Sequence, residues 1–280
     1  MMTDDTIAGK PAGQAAGFSE TRASRKSEIA IRHCDTIEDY KKCVELEFLT
    51  WGEEITVPTG LFVVAHHTGG QVLGAFDGEL MVGFTMAVAG LRGGAPFLHS
   101  HMTAVRPEYQ DRGVGRALKL FQRTDAIKKG YRSVEWTFDP LELKNGRFNI
   151  VRLGAVARRF IPNCYGITDS PLHVGMPTDR LVAEWWIESE RVKGILAGAQ
   201  PKSGSGAVRI SLPVNIGKVK ADDRAAGERV QTAVRERFQQ LFAEGYVATS
   251  LEIGEKTADY VLEPADAIAG LQTPKASAHT

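Results

Sequence analysis

The sequence predicts a mixed α/β fold, and three observations carry that expectation. Strand-like alternation broken by Gly-containing turns runs between residues 71 and 105. Helical spacing then begins directly behind a glycine-rich stretch at residues 110–115, and strand-like residues return at 133–138. The last two, with the strand that precedes them, make a β-α-β unit whose helix is entered through glycines.

Taken in order, residues 1–28 are rich in Gly, Ala, Ser, Thr and charge and read as a flexible tail, because they can bury too little surface to offset ordering entropy. Residues 29–33 alternate as a strand. Asp35 or Thr36 then stands where an N-cap would start a helix carrying Ile37, Tyr40, Val44 and Phe48. Residues 71–76 and 79–90 read as two strands joined at Asp77-Gly78, a dipeptide that accepts a tight hairpin turn. A second break at residues 92–96 leads to a strand over 97–105, which ends at Arg106-Pro107 because proline cannot donate to a ladder. Val114, Ala117, Leu118 and Phe121 recur at helical spacing, and Gly130 marks that helix's end. Ile150, Leu153, Ala157 and Phe160 predict a helix over about 149–159, and residues 178–187 predict a strand that closes the block. A joint is expected at residues 202–206, then a strand at 208–216, a helix over about 222–244, and strands at 246–253 and 260–262, forming a small β-α-β-β appendage. The division is therefore 1–28 tail, 29–188 core domain, 189–264 appendage and 265–280 tail.

Bulk properties narrow the function classes. The 34 basic and 34 acidic residues leave no net field to draw the chain to nucleic acid or to an anionic membrane. The helix expected near residues 222–244 mixes Arg224, Arg229, Arg235 and Arg237 with acids, which describes a solvated face rather than a nucleic-acid patch. No run approaches the roughly 18 apolar residues of a membrane span. Cys34, Cys43 and Cys164 make an odd count without C-x-x-C spacing, which argues against a disulfide framework or a structural zinc and fits a reducing cytoplasm.

The chemistry-bearing stretch is Gln110-x-x-Gly113-x-Gly115. Glycines let backbone approach a diphosphate closely, and a helix N-terminus offers it unpaired N–H donors and partial positive charge. Arg112 and Arg116 add cations, while a tight turn alone would also explain glycines here. A dinucleotide fingerprint needs a further glycine where Leu118 stands, and a P-loop needs a Gly-Lys-Ser/Thr end that is missing.

With Thr103-Ala-Val-Arg-Pro107 in front of it, this stretch resembles motif A of the GNAT acyltransferase superfamily. The resemblance covers about residues 29–188 and is closest to a predicted acetyltransferase branch, through residues 149–157 and the pair Trp185-Trp186. It implies a twisted, mostly antiparallel central sheet split between its fourth and fifth strands, flanked by helices. It also implies acetyl-CoA or another acyl-CoA as co-substrate, a pantetheine arm along Met102, Thr103, Ala104 and Val105, and a diphosphate on Gln110 and the amides of Arg112, Gly113, Val114, Gly115 and Arg116. The implied reaction is acyl transfer to an amine of a small molecule or peptide. Tyr165 matches the superfamily's acid position, although it also reads as a packed aromatic, and Asn149 would orient the arm or cap its helix.

Three base candidates remain open beside structural readings: His99 and His101, which period-two geometry puts on one face, and Glu135 acting through water. The two histidines could also hold a metal, but a third ligand is not evident, and the resemblance implies none. Cys164 reads as core. A non-catalytic acyl-CoA sensor is the competing function. The appendage could cover the acceptor pocket, pack on the open sheet edge or exchange within a homodimer, and the sequence does not choose.

Overall fold

The computed structural model describes residues 28–52, 56–167, 175–201, 204 and 206–268. Of the expected tails, residues 1–27 and 269–280 lie outside this range, as do residues 202, 203 and 205 of the expected joint.

The expected mixed α/β fold is observed. Its strands are β1 (Ala30–His33), β2 (Gln71–Asp77), β3 (Leu80–Arg92), β4 (Ala95–Val105), β5 (Ser133–Phe138), β6 (Val156–Ile161), β7 (Arg180–Trp186), β8 (Val208–Pro213), β9 (Tyr246–Ile253) and β10 (Thr257–Pro264). The helices are α1 (Ile37–Trp51), α2 (Thr59–His67), α3 (Val114–Lys128), α4 (Leu143–Arg147), α5 (Glu190–Leu196), α6 (Ile216–Asp222) and α7 (Arg224–Ala243). One ten-stranded sheet runs β1-β2-β3-β4-β5-β7-β6-β9-β10-β8. The pairs are antiparallel except β4 with β5.

Local chemistry explains the first half. Thr36 caps α1, its Oγ1 accepting from Asp39 N at 3.1 Å. Gly78 at φ 59° makes the β2–β3 turn, and Gly93 and Gly94 at φ 56° and 79° make the β3–β4 turn. The helices α1 and α2 cover one face of the sheet through Tyr40, Leu46, Phe62, Phe84, Met86, Met102 and Ala104. On the other face α3 packs Val114 and Leu118 against Leu73, Ala75 and Val82.

One expectation needs correction. Where a helix is expected over about 149–159, the short α4 has already given way to a π-type turn, Phe148–Arg152, with Leu153 N donating to Phe148 O at 3.0 Å. Gly154 at φ 83° then stops it, and β6 follows. The apolar spacing that suggested one helix spans the end of a helix and the start of a strand, with Trp185 Nε1 tying the two by donating to Leu153 O at 2.7 Å. The helix expected over about 222–244 is α7, whose N-cap Asp223 accepts from Ala226 N at 2.9 Å, and the short α6 stands in front of it.

The C-terminal segment extends the sheet. Its β9 meets β6 at Ala157 and Ala248. Phe238 of α7 packs against Phe160 and Tyr260, and Arg235 of α7 pairs with the fully buried Asp179 at 2.8 Å.

Candidate functional site

β4 and β5 run parallel, yet among the described residues they pair only at Leu98 with Val134 and His99 with Glu135. Beyond that fork the strands part. The β5-facing edge of β4 from Ser100 to Val105 therefore carries backbone groups without a strand partner, which is the split that the resemblance implied. Residues Met102, Thr103, Ala104 and Val105 form this edge. The six residues from Ser100 to Val105 span about 20 Å of strand, enough for an extended ligand chain to lie along them.

The edge runs straight into the glycine loop. After Val105 the chain makes a turn at Pro107–Tyr109, passes Asp111 at φ 59°, and enters α3 through Gly113 at φ 86°. The first intrahelical bond of this turn is Ala117 N to Gly113 O at 2.9 Å, so the amides of Val114, Gly115 and Arg116 point outward without helix acceptors. A Cβ on Gly113 would meet nothing within 4 Å, and one on Gly115 would touch Val105 Cγ2 at 3.8 Å. Neither glycine Cβ position is crowded. No acidic residue occupies the first turn, and Arg112 and Arg116 are exposed beside it, Arg112 lying over the Tyr109 ring at 5.2 Å. Gln110 Nε2 donates to Val105 O at 3.1 Å and so braces the loop on the strand end. Donor geometry, open space and local positive charge together fit the diphosphate of a coenzyme A thioester.

The α1/α2 face of the fork holds most of the other predicted residues. A bulge at His101 resets the β3–β4 register between Met86 and Ala87. His99 and His101 stand together, ring centroids 6.0 Å apart, with His101 exposed and His99 half-buried. Loss of water around the rings, and for His99 also the neighbouring His101, holds both below the ordinary imidazole pKa, so at neutral pH each has an acceptor nitrogen. Glu135 is 5% exposed. Its carboxylate is gripped by Arg92 and by Arg159 Nη2 at 2.7 Å, and Arg159 continues to Glu184 at 2.9 Å. A carboxylate bound by two guanidinium groups is poorly placed to take a proton.

The Tyr165 ring is half in solvent, and its hydroxyl lies 2.8 Å from Thr137 Oγ1 on the parted section of β5. Its backbone N donates to Thr178 Oγ1 at 2.8 Å, which fixes the loop. Asn149 does not cap a helix: it sits inside the π-type turn, buried, with Nδ2 donating to Asn145 Oδ1 at 3.1 Å. The cap position of α4 is Glu142. Cys164 is partly buried and its N donates to Thr178 O at 2.9 Å. Among the described residues no group of three or more His, Cys, Asp or Glu could hold a metal ion, and no helix is long and apolar enough to cross a membrane.

Sequence reading missed Arg92, Arg159, Thr137 and Lys119. Lys119 lies on α3 directly under the fork, 3% exposed. Its one sequence signal is a lysine beside Leu118 with Gln122 one turn on, two polar residues at helix positions that the fold buries.

No protein-family model matches the sequence, and no curated protein matches it. Solved structures do. One is a protein from Desulfovibrio desulfuricans assigned to the GNAT acetyltransferase family, 18% identical, covering 57% of this chain and 99% of that one at a TM-score of 0.47. Another is the ribosomal-protein-S18-alanine N-acetyltransferase from Escherichia coli, at 17% identity, 58% and 96% coverage and a TM-score of 0.48. A third is NAA60 from Arabidopsis thaliana, crystallised with a bisubstrate analogue, at 16% identity, 57% and 99% coverage and a TM-score of 0.47. Likeness at this level decides nothing about chemistry.

Proposed function

We propose that this chain, whose β4/β5 split is the one that the resemblance to the GNAT superfamily implies, is an N-acyltransferase that takes an acyl group from coenzyme A to an amine. The observation that carries the reading is the continuity of two features: a strand edge without a partner, and a helix N-terminus with open amides at its end. One extended ligand with a diphosphate at one end and a thioester at the other would use both. Gln110, Gly113, Val114, Gly115, Arg112 and Arg116 would hold the diphosphate. The backbone of Met102 to Val105 would hold the arm, and the acyl end would come to the fork.

The chemistry follows from what surrounds the fork. An amine attacks the thioester carbonyl carbon, the C–S bond breaks, and the thiolate leaves as a thiol once protonated. The Tyr165 hydroxyl, on the parted section of the split, is the proposed acid. His99 or His101, with acceptor nitrogens available at neutral pH, takes the amine's proton. Glu135 is reassigned from base to anchor, because Arg92 and Arg159 occupy its oxygens. Asn149, buried in the π-type turn, is bonded to Asn145 and takes no part in the step.

Calorimetric titration of the full chain with acetyl-CoA and free coenzyme A tests the donor half, and a screen of amines with detection of released thiol tests transfer. Binding without thiol release from any amine would favour a sensor; absence of binding by both ligands refutes the reading.

A further inference from the structure

At the fork, Ser100 on β4 and Trp136 on β5 are the first residues past the last β4/β5 pair. Lys119 meets both. Its Nζ donates to Ser100 Oγ at 2.7 Å and to Gln122 Oε1 at 3.1 Å, and stands 4.2 Å from the centroid of the Trp136 ring. Those partners are neutral, and no carboxylate among the described residues pairs with this amine. Glu135, on the next position of β5, lies on the opposite face and is committed to Arg92 and Arg159.

Lys119 holds Ser100, Gln122 and the Trp136 ring together, yet none of these partners carries the opposite charge. Gln122 Nε2 also donates to Ser100 Oγ at 3.3 Å, and Thr85 Oγ1 lies 3.4 Å from the same hydroxyl, so that hydroxyl keeps partners without the lysine. An apolar side chain would pack at this position without the desolvation of an ammonium, which costs several kcal/mol when no counter-charge is present. Burial accordingly lowers the Lys119 pKa to about 7. An ammonium has three donors, and two are used here. What remains is a donor, and a charge without an anion, at the place where the acyl end of the proposed co-substrate would arrive.

We infer that Lys119 selects the acyl group, and that the preferred donor is a coenzyme A thioester of a short dicarboxylic acid, whose terminal carboxylate pairs with the Lys119 ammonium beneath the fork. This rests on the donor reading above and deepens it by naming the acyl class. The anion supplies the missing counter-charge, while an acyl chain ending in a methyl group would leave the ammonium as it is.

The test compares succinyl-CoA with butyryl-CoA, which have the same chain length and differ in the terminal carboxylate, by calorimetry on the full chain. The wild type binds succinyl-CoA at least about ten-fold more tightly, the worth of one charge-assisted hydrogen bond. In Lys119→Met the preference disappears while affinity for free coenzyme A stays within about two-fold, since Lys119 stands a helical turn behind the proposed diphosphate loop and bonds to none of its residues. Lys119→Gln, which keeps a donor without the charge, loses the preference too, and serves if the methionine variant does not fold. A wild type that favours butyryl-CoA, or a preference that survives both substitutions, overturns the inference. Failure of the wild type to bind free coenzyme A overturns the donor reading and this inference with it.

Discussion

Gly115→Glu separates ligand binding from folding at the α3 entrance. Gly115 is the second residue of α3, its φ is not positive, and its Cβ would have only Val105 Cγ2 nearby, at 3.8 Å. The side chain therefore enters without displacing anything. An acidic residue in a first helical turn is favoured by about 0.3–1 kcal/mol through the helix dipole, and replacing glycine inside a helix adds several tenths more. The apo protein should melt at the same temperature as wild type or slightly higher. Binding should move the other way. The carboxylate would stand over the amides of Val114, Gly115 and Arg116 and beside Arg112, taking the donors that a diphosphate needs. Loss of two charge-assisted hydrogen bonds, at about 1.5–3 kcal/mol each, amounts to about 3–6 kcal/mol, or a hundred-fold or more in affinity for free coenzyme A. Gly115→Ala is the control and should stay within about ten-fold of wild type, because it adds volume without charge. Gly113 is the wrong site for this experiment: at φ 86° any side chain costs about 1–2 kcal/mol of backbone strain. Thermal melts and calorimetry on the three proteins suffice. A folded Gly115→Glu that binds coenzyme A within about three-fold of wild type would refute a diphosphate at this helix.

Three further outcomes are expected. Tyr165→Phe removes a hydroxyl from a half-exposed ring, so stability should hold while kcat for thiol release falls by about a hundred-fold with KM little changed; an unchanged kcat denies Tyr165 the role of acid. Glu47 is fully buried, with Oε2 accepting from Val57 N at 3.3 Å and Oε1 unpartnered among the described residues, and burial raises its pKa from 4.5 to about 7. The folded state then binds more protons than the unfolded one, so this stabilisation is complete below about pH 4.5 and is lost as pH rises through about 7; Glu47→Gln should flatten that decline, worth of order 1–3 kcal/mol, in urea unfolding between pH 5 and 8. Arg235→Met leaves the buried Asp179 with its bond from Asn163 N but without its cation, and should lower the unfolding free energy by about 2–4 kcal/mol; a smaller loss than about 1 kcal/mol would mean that α7 is not anchored through this pair.

The parts of the fold that could be read from sequence are those decided by local chemistry. Gly78, Gly93 and Gly94 punctuate β2, β3 and β4, and Thr36 starts α1, because turns and caps depend on a few adjacent residues. The glycine loop proposed to hold a diphosphate is legible for the same reason: open amides need glycine at the helix entrance whatever lies elsewhere. Misreading began where one pattern suits two periods. Ile150, Leu153, Ala157 and Phe160 satisfy helical spacing, but Gly154 adopts a left-handed φ and tertiary pairing with β7 turns the second half into β6. The helix α2, with Phe62, Val63 and Val64 in succession, has no polar stripe to give it a helical period. Partners distant in sequence were invisible. Nothing near Glu135 announces that Arg92 and Arg159 will close on it, nor does anything beside Lys119 announce Ser100 and Trp136.

The fork divides its chemistry between two faces, and the division bears on how donor and acceptor could meet. Ser100, Trp136 and Lys119 lie on the α3 face; His99, His101, Glu135 and Thr137 lie on the other, because paired residues of β4 and β5 point the same way and neighbours along a strand alternate. A thioester reaching the fork along β4 would thus present its acyl tail towards Lys119 and its carbonyl carbon towards the histidines. The acceptor amine would approach from the α1/α2 side, where Arg92, Glu135, Arg159, Glu184 and Arg158 form a chain of alternating charge. Three cations against two anions leave that chain positive at neutral pH. The excess disfavours a second ammonium near it and so favours an acceptor that arrives as the neutral amine or carries an anionic group of its own. Raising ionic strength screens this field most at the exposed arginines, so the salt dependence of KM should be larger for an acidic acceptor than for a neutral one of the same size. Equal salt dependence for the two would place the acceptor away from Arg92 and Arg159.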